Sequence, residues 1–210
     1  MTGFVAANVT IDITIPTQTD HVPVRSVFGW IIIHQHLGYT FDWRLPWADY
    51  KAGFGSINAD FWLGLEKVHL LTSSQPYRLR VEVQERTTNR WFSAEYWSFK
   101  IGDELNEKYR LEVSGYSGDA DDALQYESNW IEYGYNTFGH FYHNTMKFTT
   151  YDRDNDKYYG NCATAWCGGG GWWFNRCFRA CLTGNSTYNS WYTLPPSSRV
   201  INSRMMIKPQ

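Results

Sequence analysis

The sequence predicts an α+β fold: a mostly antiparallel sheet carrying short helices. Three observations point there. Stretches 77–84, 91–99 and 109–116 alternate apolar and polar side chains with the period of two that a half-buried strand needs. The turn-forming run Thr87-Thr88-Asn89 separates the first two as in a hairpin. The helical patterns are brief. Trp47, Tyr50 and Phe54 have helical spacing and end near Gly53 or Gly55, and 65–72 reads as a second short helix.

At the N-terminus, Val9, Ile11, Ile13 and Ile15 alternate with Thr10, Asp12 and Thr14, which predicts a strand punctuated by Pro16 and Pro23. Asn8-Val9-Thr10 is a glycosylation sequon, and Asn185-Ser186-Thr187 is a second. Residues 28–36 are rich in β-branched and aromatic side chains and suit a buried strand. His34 and His36 stand on one face of it. No third ligand lies nearby in sequence, so they read as surface or packing residues rather than a metal pair. Residues 125–141 carry Trp130, Tyr133, Tyr135, Phe138 and Phe141, too aromatic for a fully solvated loop. A flap packed on its own domain is expected, with self-association or ligand contact as the alternative.

The 210 residues suffice for one domain with a substantial core, so a single domain over 1–210 is expected. A net charge of −2 gives no general attraction to nucleic acid. No run of about 18 apolar residues exists to span a membrane, and Met1 is followed by none of the features of a signal peptide. Aromatic residues make up 18% of the chain, rich for a globular protein; Tyr and Trp can supply rigid half-polar binding surfaces, although most of these rings are expected to serve a large aromatic core. The four cysteines cluster near the C-terminus with no C-x-x-C spacing, which favours two disulfides in a secreted protein over zinc. Spacing alone leaves three pairings open.

Asp152, Asp154 and Asp156 alternate within one short loop. In an extended or turning loop, alternate side chains converge on one side, and carboxylates so close are unfavourable unless a cation neutralises them. With main-chain carbonyls they form a hard oxygen set suited to Ca²⁺. A solvated acidic turn is the plainer alternative. An EF-hand is excluded, because Lys157 stands where its turn glycine belongs and Ala163 where its bidentate glutamate belongs.

The residues around this loop make the sequence similar to a known family. They are Lys147-Phe148-Thr149-Thr150, the acidic loop, Asn161-Cys162-Ala163, Trp172-Trp173-Phe174-Asn175-Arg176-Cys177 and Leu182-Thr183-Gly184. Residues 43–55, Phe61-Trp62-Leu63-Gly64, His69-Leu70-Leu71-Thr72, the 109–118 strand, Tyr142-His143-Asn144 and the ending Met206-Ile207-Lys208-Pro209 match as well. Together they resemble the fibrinogen C-terminal (fibrinogen-related) domain family from about residue 28 onward, including its acetyl-binding, ficolin- and tachylectin-like lectins. Residues 1–27 diverge: the family's disulfide-linked hairpin lacks both cysteines here, so the strand pairs elsewhere, in another protomer for instance, or is held without the bridge.

What the resemblance implies is specific. Residues 118–190 form a loop-rich calcium- and ligand-binding subdomain. Ca²⁺ is held by the Asp154 and Asp156 side chains and the carbonyls of Tyr158 and Gly160, with Asp152 just outside. One disulfide joins Cys162 to Cys177, which leaves Cys167 and Cys181, both departures from the family, to each other. The ligand pocket has the Arg176–Cys177 peptide, often cis in the family, as its floor, with a backbone N–H turned to the ligand. Tyr188 and Trp166 stand for cup tyrosines, Phe178 replaces a histidine, and Trp191 or Tyr192 stands for a further tyrosine. Arg176 and Arg179 flank the floor, where a carboxylated sugar such as sialic acid would find a charge-assisted partner.

The function expected is a secreted, lectin-like recognition domain for N-acetylated glycans or glycoproteins, with a protein-interaction module as the alternative. No nucleophile elbow, phosphate loop or zinc-helix motif points to an enzyme. The sequence shows no collagen-like or coiled-coil stalk, so valency is expected from a homo-oligomer of the domain.

Overall fold

The computed structural model describes residues 8–17, 21–38, 41–125, 141–185, 187–194 and 199–210. Residues 126–140, nearly all of the aromatic insert, lie outside the described residues, and so does Ser186 of the second sequon.

Strands β1 (Asn8–Thr14), β2 (His21–Val27) and β3 (Trp30–Leu37) open the chain. Helix α1 (Trp47–Ala52), the two-residue strands β4 (Phe54–Gly55) and β5 (Phe61–Trp62) and helix α2 (Leu65–Ser74) follow. Then come β6 (Tyr77–Glu85), β7 (Trp91–Ile101), the one-turn α3 (Glu104–Glu107) and β8 (Leu111–Gly118). The loop-rich part holds α4 (Cys162–Trp166), β9 (Ala180–Cys181) and β10 (Ser190–Trp191) before β11 (Val200–Pro209) returns to the sheet.

The main sheet runs β1-β2-β3-β11-β6-β7-β8, antiparallel at every pairing, so the mostly antiparallel α+β reading holds. The C-terminal strand sits at its centre. The third predicted strand starts at Leu111 rather than Tyr109, because Lys108 and Tyr109 both take left-handed backbone angles. The N-terminal strand pairs with β2 of the same chain, from Asn8↔Val27 to Thr14↔His21. The hairpin therefore closes without a disulfide and needs no second protomer. Ile13, Ile15 and Val24 anchor it by burial.

His34 and His36 are packing residues, both buried. His34 lies 5.1 Å, ring to ring, from Trp43, and His36 Nδ1 lies 3.1 Å from the Leu182 carbonyl. Burial first, and the neighbouring His36 second, lower the His34 pKa to about 3.

Part of the aromatic abundance fills the seam between the sheet and the loop-rich part. Trp62, Phe148 and Trp173 lie within ring contact of one another, with Phe148 and Trp173 edge to face at 5.1 Å. Trp172 stands 5.2 Å from Trp173, and all four rings are buried. Trp173 Nε1 donates to the Tyr109 carbonyl at 2.7 Å, which satisfies its polar edge.

Glu104 ties the first half of the chain to the acidic loop. It accepts from Trp47 Nε1 at 2.7 Å, Lys51 Nζ at 2.6 Å and Arg153 Nη1 at 2.9 Å, and the Arg153 guanidinium sits 4.0 Å from the Trp47 ring centre. The Lys51 hydrogen bond is the largest cause holding the Glu104 carboxyl down at about pKa 2. A depressed carboxyl contributes stability above its ordinary pKa and loses it as pH falls through the folded value. E104Q should lower stability by about 1–2 kcal/mol at neutral pH, after allowance for partial exposure. Urea denaturation should show that difference shrinking as pH falls from about 4.5 toward 2.

Candidate ligand-binding site

Residues 141–148 run beside the start of β8. Leu111 N–H donates to the Met146 carbonyl at 2.9 Å and Thr145 N–H to the Leu111 carbonyl at 2.8 Å. Val113 N–H donates to Asn144 Oδ1 at 3.0 Å. These bonds fix His143, which is fully buried. Its Nδ1–H donates to the Trp173 carbonyl at 2.7 Å. Its Nε2 accepts the N–H groups of Arg179 at 3.1 Å and Ala180 at 3.0 Å. The imidazole is therefore neutral, and burial lowers its pKa to about 4, with Arg179 adding to the effect against the opposing Trp173 bond. One side chain thus clamps both ends of segment 173–180. The motif Tyr142-His143-Asn144 was visible in the sequence, but nothing in the spacing assigned His143 this partner some thirty residues away.

Segment 172–181 is held from several sides. Trp172 exchanges backbone hydrogen bonds with Thr149 at 2.9 and 3.1 Å. Lys157 N–H donates to the Asn175 carbonyl at 2.9 Å, which joins the acidic loop to the segment. β9 pairs with β10, and Tyr192 N–H reaches the Arg179 carbonyl at 2.8 Å. The disulfides are Cys162–Cys177 and Cys167–Cys181, with Cα separations of 5.4 and 6.4 Å. They bind the two ends of α4 to the two residues that bracket Phe178, Arg179 and Ala180. The glycine run beside α4 permits this close approach: a Cβ on Gly170 would stand 2.0 Å from the Thr183 carbonyl oxygen.

The Arg176–Cys177 peptide is cis. Cys177 is buried, and among the described residues its backbone N–H meets no acceptor, nor does that of Phe178. A buried N–H without a partner is uncommon and costs free energy unless water or a ligand satisfies it.

The candidate rings fall into two groups. Half-buried Phe178 packs against Phe174 at 5.8 Å and Tyr192 at 5.9 Å, and Tyr192 is half-exposed. Trp166 is half-exposed at the end of α4, and the ring of Tyr158 lies 4.1 Å from that of exposed Tyr159. Tyr188 is half-buried against Gly168. Among the described residues no ring contact joins Trp166, Tyr188 and Phe178; the disulfides connect them instead. Trp191 is not a surface ring. It is fully buried, with Nε1 donating to the Ala120 carbonyl at 2.9 Å, because its pairing in β10 turns it into the core. Of that pair only Tyr192 faces outward. Arg176 is exposed and Arg179 half-buried.

In the acidic loop, Asp154 and Asp156 stay together and Asp152 does not join them. Asp152 Oδ1 accepts from Trp47 N–H at 3.0 Å and Thr150 Oγ1 at 2.7 Å. Asp154 Oδ1 accepts from Asp156 N–H at 3.1 Å, and the Asp156 oxygens accept from Tyr158 N–H and Cys162 N–H at 2.8 Å each. Burial, with Asp154 adding repulsion, raises the Asp156 carboxyl to about pKa 6. Among the described residues no three His, Cys, Asp or Glu side chains converge as a metal cluster. A cation here would rest on two carboxylates and main-chain oxygens, a donor set that suits a hard ion and no transition metal.

Comparison with known proteins places this geometry. Residues 25–209 match the family described as fibrinogen beta and gamma chains, C-terminal globular domain. The chain belongs to the fibrinogen C-terminal domain family. A fibrinogen-like protein A of Apostichopus parvimensis is 39% identical over 157 residues, 74% of this chain and 49% of that protein. The human fibrinogen gamma chain is 39% identical over 165 residues, 74% of this chain and 35% of its own length. This chain thus spans about half or less of these relatives. Among solved structures, the fibrinogen-like globe domain of human ANGPTL2 matches with a TM-score of 0.81 at 30% identity, covering 98% of this chain and 94% of that one. A lamprey fibrin D-dimer complexed with the peptide Gly-His-Arg-Pro-amide matches with a TM-score of 0.79 at 30% identity, covering 91% and 66%. Fibrinogen C-terminal domains are recognition modules, and this chain has the fold of one.

His143 and His34 are both held neutral by burial, so their contribution to stability is complete above about pH 6.5 and is lost as pH falls toward 4. For His143 alone the loss is roughly 3 kcal/mol. H143A should lower stability at pH 7.5 by about 2–4 kcal/mol, because it strands the Arg179 and Ala180 N–H groups. It should also flatten the decline of the urea midpoint between pH 6.5 and 4 that the intact protein shows.

Proposed function

We propose that this domain is an extracellular recognition module that binds N-acetylated glycans, sialic acid among them, at the bend around Cys177. The observation that carries this reading is the N–H of Cys177, a buried residue, which meets no acceptor among the described residues and is followed in the chain by the half-buried Phe178. An acetyl group supplies what the bend lacks: a carbonyl oxygen for the N–H and a methyl for the apolar rings. Phe178 and Tyr192 offer the apolar contact, and exposed Arg176 offers a charge for a sugar carboxylate. Two disulfides and the His143 clamp hold the donors in place before the ligand arrives, which lowers the ordering cost of binding. The disulfides also suit an oxidising, extracellular setting. Nothing in this arrangement calls for a nucleophile or an acid–base pair, so the reading is of binding rather than catalysis.

The loop at Asp154 and Asp156 belongs to this proposal as a Ca²⁺ site, with the Tyr158 and Gly160 carbonyls completing the set. The ion would supply charge neutralisation for two close carboxylates and stiffen the loop whose Lys157 N–H holds Asn175. The alternative ligand is a peptide, favoured by the lamprey fibrin complex with Gly-His-Arg-Pro-amide. A peptide carbonyl could accept the same N–H.

Glycan-array binding competed by free sugars separates the two readings. N-acetylneuraminic acid and N-acetylglucosamine should displace bound glycan while glucosamine, lacking the acetyl group, does not; indifference to every acetylated sugar would sink the lectin reading. F178A should weaken sugar binding at least several-fold with little change in the thermal midpoint. Chelation of Ca²⁺ should lower both thermal midpoint and affinity, and D154N should reproduce that loss.

A further inference from the structure

The outward face of the main sheet is paired in its middle rows and unpaired at one end. Across the middle, Arg80 bonds Glu82 and Glu95, and Arg204 bonds Glu82, so each of these charges is answered on the face itself. The end row is different. It crosses β3, β11, β6 and β7 as Trp30, Lys208, Arg78 and Trp97, with Lys208 and Arg78 directly opposed. The Arg78 guanidinium lies between two indoles, 5.2 Å from the Trp30 ring centre and 5.4 Å from that of Trp97. Its Nε is buried with no acceptor, and no carboxylate approaches either Arg78 or Lys208 among the described residues. Among the described residues the Lys208 ammonium hydrogen-bonds only to the Phe28 carbonyl, at 3.3 Å. Trp97 is 60% exposed and Phe28 76% exposed at the two ends of the row, and exposed Lys100 follows on β7.

We infer that this row is a second binding surface, separate from the Cys177 bend, and that its partner is a sulfated polysaccharide. Two opposed cations with no carboxylate near them among the described residues attract an anion. A guanidinium fixed between indoles presents its fork in one orientation, which matches the paired oxygens of a sulfate. Side chains in the row recur about every 4.8 Å across the strands, close to the repeat of rings along an extended polysaccharide. The open face of Trp97 beside the fork suits the apolar face of a sugar ring. A small free anion would leave the two exposed aromatics unused.

The test is binding of the whole chain to immobilised heparin, with desulfated heparin and a polyglutamate peptide as competitors. Heparin should be bound and displaced by salt. Desulfated heparin and polyglutamate should compete at least tenfold less well. R78Q and K208Q should each weaken binding on the order of tenfold, and W97A several-fold. Lys208 and Trp97 are at the surface, so K208Q and W97A should keep the parent thermal midpoint. Ca²⁺ chelation and free N-acetylglucosamine should leave heparin binding unchanged, so this surface stands or falls apart from the acetyl site. Undiminished binding by R78Q and K208Q would overturn the inference. Polyglutamate competing as well as heparin would overturn it too, in favour of an acidic protein partner.

Discussion

The loop-rich part of the molecule depends on a constraint that regular structure usually removes. Segment 149–194, much of it buried from Cys162 onward, has among the described residues only the two-residue pairing of β9 with β10 as a sheet of its own. Its backbone polar groups must still be satisfied away from water. Side chains do that work. His143 serves Trp173, Arg179 and Ala180; Asp156 serves Tyr158 and Cys162; and Asn161 serves Thr150 and Thr164. Thr183 serves Gly171, and Asn155 serves Phe148. Each is a short polar side chain with a small entropy cost of ordering. Without them the segment would have to open to solvent, and the bend at Cys177 would lose its shape.

Seen this way, the disulfides and the aromatic seam have different tasks. The seam of Trp62, Phe148, Trp172 and Trp173 sets the loop-rich part against the sheet through apolar area and edge-to-face packing. The disulfides act within that part. They join both ends of α4 to Cys177 and Cys181 and so fix what stands next to Phe178. What remains at the bend is a pair of backbone donors, Cys177 and Phe178 N–H, that meet no acceptor among the described residues, beside the half-buried Phe178 ring.

Much of the architecture was legible because it follows from local periodicity. The β6–β7 hairpin, the buried β3 and the two short helices all show in spacing of two or of three to four residues. The acidic loop and the cysteine cluster are local too. Tyr109 misled because a strand-like pattern does not reveal a left-handed backbone. Trp191 misled because a Trp-Tyr pair looks the same whichever ring turns inward. The choice is made by β10 pairing with β9, a contact the local pattern does not encode. The alternating pattern does not separate Asp152 from Asp154 and Asp156; the family resemblance set it just outside, and in the structure the N-terminus of α1, remote in sequence, takes its carboxylate.

By itself, the sequence determined the first strand, β3, the β6–β7 hairpin, β8, helices α1 and α2 and the oxygen-rich loop, because those depend on neighbours within a few positions; the central strand β11 was not among them. It also determined the family, because the matching motifs span most of the chain. Tertiary structure alone decided that the hairpin of β1 and β2 closes without a crosslink and that His143 is a neutral clamp; of the three cysteine pairings that spacing left open, it holds the one the family resemblance implied. It also decided that Arg78 stands between two indoles with no counter-charge among the described residues. Each of these depends on residues brought together from distant parts of the chain, and the free energy of such a contact is set by the burial and partners that only folding supplies.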